Sequence, residues 1–269
     1  MRQQMLHIFR NTPFGRETLL ESCYFAKTLG LELVVYIPRT ARFLMYFDND
    51  VVQIDLDKSY LTAPETAEEH AREILGWFDL EPVFFTPRHF TSPELPDIPT
   101  HFAYMCCPRV IADLSSKIGL GYIGPRVRKI VRNATFPVYI PNPVYKQWKS
   151  LAVFFGGSAN ALKALRVGLS MSATSGMPLK VFTQLEGKPK EHYEQIVREA
   201  GLEDALKDWV VFEGGKLEVN LYEVPHDALV IVGAYGHGLI KELAFGSTME
   251  RIQHVLPNSM VIVGPYVEP

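Results

Sequence analysis

Val232-Gly233-Ala-Tyr-Gly236-His-Gly238-Leu-Ile-Lys-Glu-Leu-Ala-Phe-Gly246-Ser247-Thr248 is the most informative stretch of the chain. It begins where the apolar run Ala228-Leu-Val-Ile-Val232 ends, and it closes where a helix is predicted over Thr248–Val255. An apolar run of this length without alternation reads as a strand buried on both faces. Ligands of open α/β sheets lie beyond the carboxyl ends of such strands. A helix N-terminus offers unpaired N–H groups and the positive end of the helix dipole, which suits phosphate. Gly233 and Gly236 allow close backbone approach, and Ser247 and Thr248 add hydroxyl donors. The spacing Gly-x2-Gly-x9-Gly-Ser has no Gly-Lys-Ser/Thr and no Gly-x-Gly-x-x-Gly, so it is neither a P-loop nor a dinucleotide fingerprint.

Outward from this stretch, the chain reads as two similar halves. Leu6-His-Ile-Phe-Arg-Asn11 is laid over Leu151-Ala-Val-Phe-Phe-Gly156, each a short strand running into a turn. Helices are predicted over Glu17–Leu29 and Ala161–Thr174, with Leu20 on Leu165. Gly30 and Gly176 end them in the left-handed conformation. Second strands follow at Leu33–Ile37 and Leu179–Thr183. The ends also match: Gly121-Tyr-Ile-Gly124-Pro-Arg-Val-Arg-Lys-Ile130 lies over Leu243-Ala-Phe-Gly246-Ser-Thr-Met-Glu-Arg-Ile252. Last strands are predicted at Phe136–Ile140 and Ser259–Val263. A repeat of half the chain is a duplicated domain rather than a solenoid. The expected domains are 1–145 and 146–269, divided near the prolines Pro141 and Pro143.

The second half is compact, with a helix at Lys190–Gly201, a strand at Trp209–Phe212 and a short helix at Lys216–Val224. The first half carries extra material. Phe43–Phe47 and Val51–Ile54 flank Asp48-Asn-Asp50 as a hairpin, and a helix is predicted over Pro64–Phe78. Alternating strands and helices of this length predict a doubly wound parallel sheet in each half.

With its flanks Asp227-Ala-Leu-Val-Ile-Val-Gly and Pro257-Asn-Ser-Met-Val-Ile-Val, the glycine pattern resembles the ATP-binding signature of universal stress proteins. The family's opening β-α-β matches around Phe155-Gly-Gly-Ser158. The resemblance covers about 150–265 and extends more weakly over the first half as a second family domain. It implies two five-stranded doubly wound domains in tandem, of the adenine nucleotide α hydrolase-like kind. It also implies an adenine nucleotide such as ATP held by the second domain. Carried over by position, Gly156, Gly157 and Ser158, at the end of the first strand, are expected to help hold the nucleotide. Gln184 sits where backbone meets adenine, and Gly233, Gly236, Gly246, Ser247 and Thr248 hold ribose and phosphates. Family members that bind nucleotide carry an Asp at the end of the first strand; here Gly156 stands there, and Asn11 is its expected equivalent in the first half. The missing carboxylate removes a contact to the nucleotide or to its Mg²⁺ or Mn²⁺. In the first half Ile111 and Leu114 replace the loop glycines, and Pro125, which has no N–H, replaces Ser247. The first domain is therefore expected to be degenerate, leaving one site per chain. The two last strands are expected to pair the domains as an intrachain pseudo-dimer, with a homodimer of the whole chain also open.

Composition bounds the function. The chain has 269 residues, 47% hydrophobic and 21% charged, with a formal charge of −3. That is globular composition, and it excludes general attraction to nucleic acid or anionic membrane as the main activity. Cys23, Cys106 and Cys107 form no disulfide framework or zinc spacing, which fits a reducing cytoplasm. Cys106-Cys107 reads as buried packing. The run Arg126, Arg128, Lys129, Arg132 reads as a solvated helix face ahead of a phosphate or partner patch. His237 is a solvated loop residue ahead of a phosphate contact, and no catalytic set or metal site can be assembled. The expected function is a stress protein that binds adenine nucleotide, signals through an unidentified protein partner and is not a dedicated enzyme. A ligand-free scaffold, a slow ATPase and an adenylating enzyme are the alternatives.

Overall fold

The computed structural model describes residues 3–56, 63–109, 123–185, 187–235, 251–252 and 255–268. The chain divides into two compact units, one ending at Gln147 and the other beginning at Trp148.

The second unit is built on five strands: β10 (Ser150–Phe154), β11 (Leu179–Gln184), β12 (Trp209–Phe212), β13 (Ala228–Gly233) and β14 (Met260–Val263). They are ordered β12-β11-β10-β13-β14, and every pair is parallel. Residues Ala228–Val232 and all of β14 are buried, as the unbroken apolar runs require. The connections are α4 (Ala159–Ser175), α5 (Lys190–Glu199), a 3-10 turn at Glu203–Leu206, and α6 (Leu217–Asn220) with a 3-10 turn at Leu221–Glu223. Chain order 3-2-1-4-5 places the reversal of winding beside the first strand, β10.

The first unit repeats the same order. Its strands β1 (Gln4–Ile8), β2 (Glu32–Tyr36), β5 (Val83–Phe85), β8 (Tyr104–Cys106) and β9 (Val138–Ile140) run β5-β2-β1-β8-β9, all parallel. Helices α1 (Pro13–Leu29), α2 (Pro64–Gly76) and α3 (Pro125–Asn133) connect them. A second sheet is inserted, with β3 (Arg42–Phe47) and β4 (Asp50–Asp55) as the expected hairpin and β6 (Phe90–Ser92) and β7 (Leu95–Ile98) beyond it. No helix among the described residues is long and apolar enough to cross a membrane.

The repeat is real, but its register differs from the one that letter matching suggests. Both first helices have 17 residues. Their N-caps are Thr12 and Ser158, and their left-handed C-caps are Gly30 (φ 66°) and Gly176 (φ 71°). Each of these pairs is 146 residues apart, as are the strand starts Gln4 and Ser150. Leu6 on Leu151 is one residue out. The caps fix the frame because their side chains and φ angles must fit the helix ends, whereas Leu, Ile and Val interchange freely in a buried strand. The equivalent of Gly156 in the first unit is therefore Arg10, and Asn11 corresponds to Gly157. The first helix also starts at Pro13 rather than Glu17, because Thr12 accepts a hydrogen bond from the Gly15 amide (2.9 Å) and Pro13 takes the first helical position.

The basic run of the first unit is not a free solvated face. Arg126 donates to Asp55 (2.8 Å), Lys129 pairs with Asp50 (3.1 Å), and Asn133 donates to the Lys129 carbonyl (3.0 Å). Helix α3 thus holds both ends of the β3–β4 hairpin. Such half-exposed pairs are each worth well under about 1 kcal/mol, so they orient the hairpin more than they stabilise it. All three cysteines are free and buried. Burial pushes the Cys106 thiol up to about 12 and also raises Cys23 and Cys107, which removes thiolate chemistry and leaves packing.

Candidate functional site

The carboxyl edge of the second unit collects the expected residues that lie within the described chain. Strand β10 lies between β11 and β13, with Phe154 opposite both Phe182 and Val232. That register brings Gly156, Gly157 and Ser158, which follow β10, beside Gln184 at the end of β11 and Gly233 at the end of β13. Gly236, Gly246, Ser247 and Thr248 lie outside the described residues, as do Ile111 and Leu114 of the first unit.

Each described residue has a definable local role. Ser158 caps α4, its Oγ accepting from the Ala161 amide at 3.2 Å. Gly157 has φ +75°, and a Cβ there would press on Tyr193 and Ile196 of α5 at 3.3–3.4 Å. Gly156 is exposed, and a Cβ added to it would meet nothing within 4 Å. A carboxylate-bearing side chain would therefore fit at this position, and its absence is not forced by the fold.

Gly233 is explained differently from the sequence expectation. A Cβ there would lie 2.5 Å from the Asn160 carbonyl carbon and oxygen and 2.8 Å from the Ala161 nitrogen. The glycine lets the end of β13 touch the first turn of α4. Helix-to-strand contact accounts for it without any ligand. The same contact is closed by Asn160, a residue that sequence reasoning passed over. Its buried amide donates to the Ala234 carbonyl at 2.5 Å. Tyr235 follows with φ +61°, an uncommon conformation for a bulky residue and one that concentrates at functional turns. The chain thus enters the glycine-rich stretch from a fixed start.

Gln184 is held by its side chain. Its Nε2 donates to the Phe212 carbonyl (3.2 Å), and its Oε1 accepts from Asn220 (2.7 Å). Next to it, Thr183 is buried, donating to the Phe155 carbonyl (2.8 Å) and accepting from the Trp209 indole (2.8 Å). These bonds lock the ends of β10, β11 and β12 together. Arg251, three residues beyond Thr248, makes a two-pronged pair with Glu218 of α6 at 2.5 and 2.8 Å. The hydrogen bonds from Arg251 hold the Glu218 carboxyl down to about 2. Among the described residues no group of three His, Cys, Asp or Glu side chains is placed to hold a metal ion.

The two units are therefore doubly wound α/β domains of one topology. No family model matches the chain. A universal stress protein of Synechocystis is 25% identical over 150 residues, which is 51% of this chain; the chain spans about half the length (50%) of this curated relative. A universal stress protein structure from Archaeoglobus fulgidus matches 97% of the chain and 96% of its own, with TM-score 0.62 and 17% identity. A structure from Pseudomonas aeruginosa, provisionally described as a universal stress protein, matches 98% and 94%, with TM-score 0.60 and 11% identity. The structures share the fold of both units, and the sequence match over about half of the chain is likewise to a universal stress protein: the chain is similar to universal stress proteins along both units.

Proposed function

We propose that the chain is a stress-response protein of the cytoplasm that works by binding rather than by catalysis. Its second unit takes one adenine nucleotide at the carboxyl ends of β10, β11 and β13. The observation that carries this reading is the register of β10 between β11 and β13, which gathers Gly156–Ser158, Gln184 and Gly233 at the topological switch point. The Gly236–Thr248 stretch follows Gly233 closely in sequence. Mg²⁺ or Mn²⁺, if bound, would be held largely by the nucleotide's own phosphates, as hard cations commonly are. A protein partner would read the surface that the nucleotide covers.

One observation favours a ligand-free scaffold as the second reading. Ser158, Gln184 and Gly233 are all committed to internal contacts. Mass spectrometry of the supernatant from denatured, purified full-length protein separates the two readings, together with calorimetric titration of ATP. The expected result is adenine nucleotide, and about one site per chain. Gly246→Val adds a Cβ where a phosphate would lie and should abolish binding. Ser247→Ala removes one charge-assisted hydrogen bond, about 1.5 kcal/mol, and should weaken binding about tenfold. Two equivalent sites per chain would show that the first unit is not degenerate. Unchanged affinity in a folded Gly246→Val protein, or no nucleotide at all, would establish the scaffold.

A further inference from the structure

The first unit has its own cavity, at an edge the nucleotide reading leaves unused. It occupies about 260 Å³ beyond the carboxyl ends of β2 and β5, between α2 and the β6–β7 pair. Tyr36, Phe84, Phe85 and Phe90 supply aromatic walls, and Pro64, Pro87 and Pro96 add rigid apolar surface. At the corresponding strand ends of the second unit, the Gln184 side chain bonds to Phe212 and Asn220. In the first unit β2 ends in the buried Tyr36 and β5 in the half-buried Phe84 and Phe85, and Phe90 of β6 is exposed.

The walls are held in place. Tyr36 packs edge-on against Phe43 (5.6 Å between centroids) and Phe85 (5.9 Å). The Arg72 guanidinium lies 4.6 Å over the Phe84 ring. A dry cavity of roughly 150 Å³ takes benzene. This one has room for one or two fused rings, and its aromatic lining offers offset and edge-to-face contacts.

The charges at the cavity decide what else the ligand carries. Glu68 is neutralised by Arg72, which donates to it at 2.6 and 3.2 Å. Arg39 is exposed at the rim and, among the described residues, makes no ion pair. Among the described residues the uncompensated charge at the cavity is therefore positive. A guanidinium is the side chain best shaped to take a carboxylate in two parallel hydrogen bonds. Thr86 and Thr40, whose hydroxyl donates to the Arg42 carbonyl (2.8 Å), belong to the same lining. The geometry points to a binding site in the first unit for a small aromatic carboxylate of one or two rings, packed among Phe84, Phe85 and Phe90 with its acid on Arg39.

The site is independent of any nucleotide in the second unit and is tested without one. Saturation-transfer NMR and calorimetry on the full chain would compare indole-3-carboxylate with its neutral relative indole. The acid should bind at least about tenfold more tightly. Arg39→Gln should bring the two within about twofold while leaving indole binding unchanged. Thr86→Trp, at an exposed position, should fill the cavity and block both, with circular dichroism confirming the fold. Absence of binding by both probes at millimolar concentration overturns the proposal. So does an acid preference that survives Arg39→Gln, or binding of either probe that survives in folded Thr86→Trp.

Discussion

The two units share one frame and differ at its centre. In the second unit Val153 of β10, Gly168 of α4 and Ile231 of β13 meet; a Cβ on Gly168 would collide with Val153 and lie 3.4 Å from Ile231. The same three places in the first unit hold His7 and Ser22, each 146 residues earlier, and Cys106, which pairs with His7 as Ile231 pairs with Val153. His7 is buried, its Nδ1 lies 2.8 Å from the Ser22 hydroxyl, and Ser22 also bonds the Cys106 thiol. One unit fills the space with a branched aliphatic over a bare helix backbone. The other fills it with a flat ring bridged to a small hydroxyl. The pairs are matched in volume but not in polarity. This shows that a duplicated core tolerates exchange when the partners change together, as close packing demands.

A second difference extends the first. Glu21, fully buried, sits where the second unit has Val167. It accepts a hydrogen bond from the Tyr139 hydroxyl and another from the Lys146 amide (2.7 Å). Glu17, one turn earlier, accepts from the Tyr145 amide (2.7 Å). The first helix of the first unit thus ties down the chain that follows its last strand. Glu21→Val would copy the second unit's solution without its surroundings. It leaves the buried Tyr139 hydroxyl unpaired, costing about 1–3 kcal/mol, and removes the acceptor of the part-buried Lys146 amide. Urea unfolding followed by circular dichroism should show the first unit destabilised by about 3–5 kcal/mol. Glu21→Gln, which keeps one carbonyl acceptor, should cost clearly less. Equal losses in the two variants would mean that volume, not hydrogen bonding, governs this position.

The central histidine gives the comparison a pH dependence. Burial, with a smaller push from the Arg10 charge, lowers the His7 pKa from 6.5 to about 3. The unfolded chain therefore binds a proton between these values that the folded chain does not. The contribution of neutral His7 is complete above about pH 6.5 and is lost as pH falls below it. At pH 5 the loss is about 2 kcal/mol, from about 1.4 kcal/mol per unit. The triple exchange His7→Val, Ser22→Gly and Cys106→Ile installs the second unit's set. It should unfold at nearly the wild-type urea concentration at pH 7.5 and at a higher one at pH 5. A triple variant with the wild-type acid sensitivity would place the titrating group elsewhere.

Most of the frame was legible in the sequence because buried parallel strands and capped helices leave strong local marks. The β10–α4–β11 unit and the β13 run are of this kind. The three-residue strands Val83–Phe85 and Tyr104–Cys106 were not legible, since they are strands only by virtue of their neighbours. Thr12 and Pro13 did carry a helix-start signal, but it was outweighed by the apolar match of Leu6 to Leu151, and this moved the register by one. Gly233 was legible as a glycine but not by its cause. Close approach to a helix and close approach to a phosphate demand the same missing Cβ. The basic run on α3 likewise carries no mark in one dimension of the Asp50 and Asp55 it meets.

The smallest structural change carries the finest test of the difference between the units. In the corrected frame the first unit ends its central strand in Arg10, and the second ends its own in Gly156, where nucleotide-binding relatives place an aspartate. Open space around Gly156 and the lack of a left-handed φ mean that Gly156→Asp should shift stability by no more than about 0.5 kcal/mol. Its effect should appear in binding. A carboxylate at this edge repels phosphate unless a divalent cation lies between them. ATP affinity should therefore rise several-fold with Mg²⁺ or Mn²⁺ present and fall with EDTA. Arg10→Asp makes the equivalent change in a unit where Asn11 is bonded to His70 of α2 (3.0 Å) and Pro125 replaces the serine of the loop. It should leave ATP binding unchanged under both conditions. A gain in the first unit would show that only the carboxylate was missing there. No metal-dependent gain in the second would show that this edge does not hold the nucleotide's phosphates.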